Sequence, residues 1–72
     1  MNTLDITRDT CPITYVRTKL ALEALAPGER LVVVMRVGEP SRNVPRSLRE
    51  DGYPVIEEGP DGELYRLVVE RP

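Results

Sequence analysis

The stretch Arg30-Leu31-Val32-Val33-Val34-Met35-Arg36-Val37 decides the fold. In an extended chain Leu31, Val33, Met35 and Val37 point to one side, and Val32 and Val34 to the other. A strand that is apolar on both sides belongs in the middle of a sheet. Working upstream, Pro27-Gly28 stops a run of good helix formers, Leu20-Ala21-Leu22-Glu23-Ala24-Leu25. The spacing predicts a helix over 13–25 opened by Pro12, because proline fits a first helical position where no N–H is needed. Ile13, Val16, Leu20 and Ala24 fall at i, i+3, i+7 and i+11, with Leu25 extending them, so this face is expected in the core. Before it, Thr3-Leu4-Asp5-Ile6-Thr7 alternates and predicts a short strand with Leu4 and Ile6 inward, followed by a loop through Arg8, Asp9, Thr10 and Cys11.

Downstream, Gly38-Glu39-Pro40 ends the central strand. A second helix is expected over Ser41 to Asp51, stopped at Gly52 and carrying a thin apolar face of Val44 and Leu48. Its start falls either at Ser41 or near Val44, because Pro45 restricts Val44 and removes a donor. Tyr53 to Glu58 predicts a third strand, with Pro54 marking an edge or a strand start. Gly59-Pro60-Asp61-Gly62 predicts a turn, and Leu64 to Glu70 a fourth strand antiparallel to the third. The order β-α-β-α-β-β implies a two-layer α/β sandwich: a four-stranded mixed sheet with two helices on one face. Residues 1–72 are expected to form a single domain. The other sheet face carries Val32 and Val34, either as an apolar partner surface or as strand residues shielded by long neighbours such as Arg66.

Composition narrows the function classes. Ten basic against twelve acidic side chains leave a net charge of −2, which argues against a general nucleic-acid binder. The longest uninterrupted apolar run, 31–35, is far short of the roughly 20 residues of a membrane span. Met1-Asn2-Thr3-Leu4-Asp5 has neither a basic start nor an apolar stretch, so no secretory signal is expected and the expected location is cytoplasmic. With one cysteine and no histidine, the chain makes no internal disulfide. The same absence removes the usual zinc sites and the Ser-His-Asp and Cys-His mechanisms. Neither a metal nor an organic cofactor is expected.

If this chain does chemistry, Cys11 is the candidate. With Cys11 capping the helix, the amides of Ile13 and Thr14 would face its sulfur, and the helix dipole would add partial positive charge. Both favour thiolate. Arg8 would add to this and Asp9 oppose it. A thiolate with no acid–base partner suits sulfur exchange, in which it takes a terminal sulfur as a persulfide and a second nucleophile removes it. The competing interpretation is a structural Cys11, packed as a small hydrophobe in a non-catalytic interaction module.

The residues around Cys11 resemble those of the TusA-like family of small sulfur carriers, which includes the SirA and YedF types. That family's motif is Cys-Pro-x-Pro, followed by a basic residue and a leucine along the helix and a Pro-Gly before the second strand. This chain has Cys11-Pro12-Ile13-Thr14, then Lys19 and Leu22, then Pro27-Gly28-Glu29. Arg42-Asn43-Val44-Pro45 is similar to the family's Arg-Asp-Ile-Pro at the second helix. The resemblance spans about residues 4 to 70 and implies a carrier that accepts sulfur on Cys11. The implied donor is a cysteine desulfurase or a rhodanese-like protein. The implied acceptor belongs to tRNA thiolation, sulfur oxidation or cofactor sulfuration. Two positions depart from the pattern. Thr14 replaces the second proline, which restores an N–H and removes a rigid shape for partners to recognise, and Asn43 replaces an acid.

Other charges divide between function and solvation. Arg42, Arg46 and Arg49 lie at i, i+4 and i+7, so a helix presents them as one stripe, which is either a partner-binding face or a solvated one. Lys19 stands either near the rim of the Cys11 site or in an ion pair with Glu23 at i+4. The three tyrosines are too dispersed for base stacking. The expected oligomeric state is a monomer or a weak dimer.

Overall fold

The computed structural model describes residues 2–10 and 12–72. Its elements are β1 (Asn2–Asp5), α1 (Ile13–Glu23), β2 (Arg30–Arg36), α2 (Glu39–Glu50), β3 (Val55–Asp61) and β4 (Leu64–Glu70). The sheet order is β1-β2-β4-β3, so β2 lies inside the sheet, as its two apolar faces require. β1 runs parallel to β2, while β4 is antiparallel to both β2 and β3. The result is the expected four-stranded mixed sheet covered by two helices. No helix among the described residues is long and apolar enough to cross a membrane.

The core lies between the helices and one face of the sheet. Leu31, Val33 and Met35 of β2 meet Leu67 and Val69 of β4, Leu22 of α1, and Val44 and Leu48 of α2. Ile6 joins them from just beyond β1, where its amide donates to the Val34 carbonyl at 2.9 Å and prolongs the parallel pairing by one residue. On the opposite face Val32 and Val68 pair across the ladder and are both buried, while Val34 is half-buried. That face is therefore no broad apolar patch, and the shielded alternative holds for it.

The largest departure from the sequence-based expectation is the rotation of α1. Ile13, Val16 and Leu20, expected in the core, face outward, and Ala24 is exposed just past the helix end. The buried residues are Thr14, Thr18 and Leu22, flanked by half-buried Tyr15, Ala21 and Leu25. Burying a hydroxyl costs little when it finds an acceptor inside the helix. The Thr18 hydroxyl does so, donating to the Thr14 carbonyl at 2.8 Å. The second departure is at the hairpin. β3 continues through Gly59, Pro60 and Asp61, with Asp61 opposite Leu64, so the turn shrinks to Gly62-Glu63. Gly62 has φ +62 and no described non-glycine residue, Glu63 included, has positive φ, the sign pattern of a type II′ turn whose twist matches its strands. Pro60 is tolerated because β3 is an edge strand.

The third departure is the start of α2, at Glu39 rather than at Ser41 or Val44, with Pro40 in its first turn. Gly38 permits the early start. Its φ of +135 and ψ of −133 fall in a region that other residues reach only with strain, and Ser41 Oγ accepts from its amide at 2.9 Å. Gly38→Ala is therefore expected to cost about 1–3 kcal/mol from backbone conformation alone, since nothing lies within 4 Å of the added carbon. Gly59→Ala, at negative φ with similar space, serves as the comparison. Equal denaturation midpoints for the two variants would refute this account of the β2–α2 junction.

Candidate functional site

The loop from β1 to α1 carries the sequence-predicted site. Cys11 itself lies outside the described residues, so the site is built here from its neighbours. Asp5 shapes the entry. Its carboxylate accepts from the Thr7 amide at 2.8 Å and from the Thr7 hydroxyl at 2.6 Å, which turns the chain sharply after β1. The Thr7 hydroxyl, then the Thr7 amide, hold the Asp5 carboxyl below the usual aspartate value. A depressed carboxylate stabilises the fold above its unfolded pKa and loses that contribution as pH falls through its folded pKa. Acidification below about pH 4 should thus weaken the native protein, and less so in Asp5→Asn, where the titration is removed. Parallel acid-unfolding curves for the two proteins would contradict this.

At the other end of the loop, α1 begins at Ile13, with Pro12 in the flanking cap position. The Thr14 amide donates to the Thr10 carbonyl at 3.1 Å and closes the first turn of the helix. The Val16 amide does the same for the Pro12 carbonyl, also at 3.1 Å. The positive end of the α1 dipole lies at this end of the helix. The first turn of α1 contains no acidic residue to oppose it. Thr14 is fully buried, so at this position the chain presents nothing for a partner to recognise.

Charges around the loop are arranged differently from the sequence expectation. Asp9, expected to oppose a thiolate, is ion-paired with Arg17, which also ties the loop to the second turn of α1. Arg17 was not singled out by sequence, where an eight-residue gap hides the pair. Arg8 is exposed and has no ion pair among the described residues. Lys19 forms no pair with Glu23, contrary to the i+4 alternative. It stands six residues beyond Ile13, roughly 9 Å of helical rise, which removes it from the immediate loop.

A groove of about 190 Å³ opens beside this loop. It is lined by Asp9 and Thr10 from the loop and by Arg36, Val37, Glu39 and Pro40 from the β2–α2 junction. Its position has a topological cause: parallel β1 and β2 both end here and both lead into helices, and such a carboxyl end is where open α/β sheets form crevices. That rule would have singled out Arg36, Val37 and Glu39 in the sequence. The arginine stripe lies elsewhere, on α2. Arg46 donates to Asn43 at 2.9 Å and pairs with Glu50, Arg49 pairs with Glu58 of β3, and Arg42 is exposed without an ion pair among the described residues.

α1 and the end of α2 are tied together by Tyr15, whose hydroxyl donates to the Asp51 carboxylate. Burial first, then this hydrogen bond, pushes the phenol above its ordinary pKa.

Comparison with known proteins places these elements in a family. The model for Sulfurtransferase TusA matches residues 2–71, from β1 to the residue after β4. The chain belongs to the TusA family. A protein of Methanocaldococcus jannaschii named "Putative sulfur carrier protein" is 35% identical over 71 residues, covering 99% of this chain and 95% of that one. YedF of Escherichia coli, named likewise, is 32% identical over 68 residues, covering 94% and 88%. The crystal structure of a SirA-like protein from Desulfitobacterium hafniense superimposes with a TM-score of 0.80 at 25% identity, covering 97% of this chain and 96% of that one. Membership of the TusA family supports a sulfur-carrier role.

Proposed function

We propose that this TusA-family chain accepts sulfane sulfur as a persulfide on Cys11 and relays it to an acceptor protein. The observation that carries the proposal is the place of its only cysteine, between Thr10 and Pro12, directly ahead of α1. The Cys11 thiolate attacks the terminal sulfur of a donor persulfide. A sulfur–sulfur bond forms to Cys11, the donor's sulfur–sulfur bond breaks, and its electron pair leaves on the donor thiolate. A nucleophile of the acceptor then takes the terminal sulfur, and the electron pair of the broken bond returns to Cys11. Neither step needs an external oxidant.

The Pro12 turn, the Ile13 amide and the α1 dipole support the thiolate, Arg8 adds charge nearby, and Lys19 contributes from farther along the helix. Thr14 acts indirectly, by closing the first turn on Thr10. Arg42 is the member of the arginine stripe best placed to meet a partner, since Arg46 and Arg49 already have acidic neighbours. The donor is a cysteine desulfurase or a rhodanese-like protein, and a reducing cytoplasmic setting keeps a lone thiol available.

The test is intact mass after incubation with a cysteine desulfurase, its cofactor and cysteine, and separately with a rhodanese and thiosulfate. One added sulfur, removed by reductant, is expected from at least one donor. No gain from either, together with alkylation no faster than that of free cysteine, would refute the proposal.

A further inference from the structure

We infer that Arg17 of α1 is a positioning residue for the sulfur exchange at Cys11: its ion pair holds the Asp9 carboxylate and cancels a negative charge that would otherwise oppose the thiolate. The inference rests on the carrier role of Cys11 proposed above. Asp9 is the acid nearest to Cys11 in the sequence, two residues before it. Two residues of chain span at most about 7 Å between Cα atoms. At such a range like charges repel measurably even in water, so an unpaired Asp9 favours thiol over thiolate. Among the described residues, Arg17 is the cation that pairs with it. The two partners bracket position 11, one in the loop before it and the other in the helix after it.

The surroundings separate a charge role from a mere tie. Backbone hydrogen bonds already hold both sides of the loop: the Asp9 amide donates to the Ile6 carbonyl and the Thr14 amide to the Thr10 carbonyl, each at 3.1 Å. The paired side chains of Arg17 and Asp9 are 46 and 20% exposed, and an ion pair so open to solvent adds little to stability. Its field still acts within a Debye length, about 10 Å. The Asp5 carboxyl, held down chiefly by Thr7, is held down further by Arg8 and Arg17, so the field of Arg17 reaches the loop entry. The other charges around the loop offset one another. Arg8 and Arg36 are balanced by Asp5 at the loop entry and Glu39 at the start of α2, and Arg36 and Glu39 line the groove together with Asp9 and Thr10. Unmasking Asp9 therefore leaves the loop net negative. Both halves of the exchange feel this, because the thiolate is the attacking species and a thiol of lower pKa also leaves faster.

The test is the alkylation rate of the thiol against pH, at low salt, for the wild type, Arg17→Gln, Asp9→Asn, the double variant and Arg17→Lys. Arg17→Gln is expected to raise the midpoint of this curve by about half a pH unit, which is roughly threefold less thiolate below the midpoint. Asp9→Asn leaves Arg17 unpaired and should lower the midpoint by a similar amount. The double variant should return to the wild-type curve, and Arg17→Lys, which keeps the charge, should stay on it. Added salt should shrink both shifts. Denaturation midpoints should agree among all five proteins. A tie alone predicts another pattern. Either single variant breaks the pair, so both would move the alkylation curve in the same direction and the double variant would not restore it.

Shifts in the same direction, an unrestored double variant, or an Arg17→Gln curve that coincides with the wild type would each overturn the inference. Sulfur uptake by the wild type, read as intact mass, is a separate measurement. Uptake with coincident alkylation curves would overturn the role of Arg17 and leave the carrier role standing. Opposite shifts without uptake from a cysteine desulfurase, a rhodanese or inorganic polysulfide would overturn the carrier role, and with it any part of Arg17 in sulfur exchange.

Discussion

Leu22→Ala should destabilise the protein by about 2–5 kcal/mol, while Leu20→Ala, two residues away on the same helix, should change stability by no more than about 0.5 kcal/mol. Leu22 is fully buried against β2 and α2, and Leu20 is more exposed than Ile13 or Val16 on the outer side of the helix. Truncating a buried leucine loses the transfer free energy of the removed methyl groups and leaves a cavity that the surroundings only partly fill. Truncating an exposed one loses neither. Small domains have total stabilities of about 5–15 kcal/mol or less, so Leu22→Ala removes a large share and lowers the melting temperature by about 8 °C or more, at roughly 4–8 °C per kcal/mol. The pair of variants reads the rotation of α1 directly. If Leu20→Ala were the costly substitution, the helix would present Ile13, Val16 and Leu20 to the sheet.

Cys11→Ser should abolish sulfur uptake altogether. No other residue can hold a persulfide, because the chain has one cysteine. A serine hydroxyl is neither ionised nor a sulfur nucleophile at neutral pH, so partial activity has no source. Intact mass gives the result as presence or absence of one sulfur. The same variant weighs the structural alternative. If Cys11 serves as a packed hydrophobe in an interaction module, replacing it with a hydroxyl lowers the denaturation midpoint while the wild type takes up no sulfur. If Cys11 is the carrier, the midpoint holds and uptake is lost. The alkylation rate of the wild-type thiol against pH adds an independent reading. Support from the helix start requires its midpoint to lie below that of free cysteine.

The contrast between the two leucines also shows where the sequence is ambiguous. α1 has two stripes with helical spacing, Ile13-Val16-Leu20 and Tyr15-Thr18-Leu22, and the first is the more apolar. Counting apolar residues selects the first. The fold selects the second, because Thr18 satisfies its hydroxyl within the helix and because Leu22 and Leu25 continue that stripe toward the sheet. The hairpin shows a similar limit. Gly-Pro-Asp-Gly is turn chemistry in isolation, yet only Gly62 bends the chain, since a proline is admissible on the edge strand that β3 turns out to be.

Charge was the least legible property. Asp9 with Arg17, and Arg49 with Glu58, are separated by eight and nine residues and meet only through loops whose paths the sequence does not state. The groove between the β1–α1 loop and the start of α2 depends likewise on two strands ending side by side.

By itself the sequence determined the element order, the interior place of β2, the β3–β4 hairpin, the thin core face of α2 and the Cys-Pro ahead of α1. These follow from local rules: alternation in strands, proline and glycine at boundaries, and one cysteine at one place. Only the tertiary structure decided which side of α1 is buried, how far β3 runs, where α2 begins and which charges neutralise one another. Each of these is settled by the packing of elements distant in sequence, where burial and hydrogen-bond satisfaction across the whole fold outweigh the preference of any single segment.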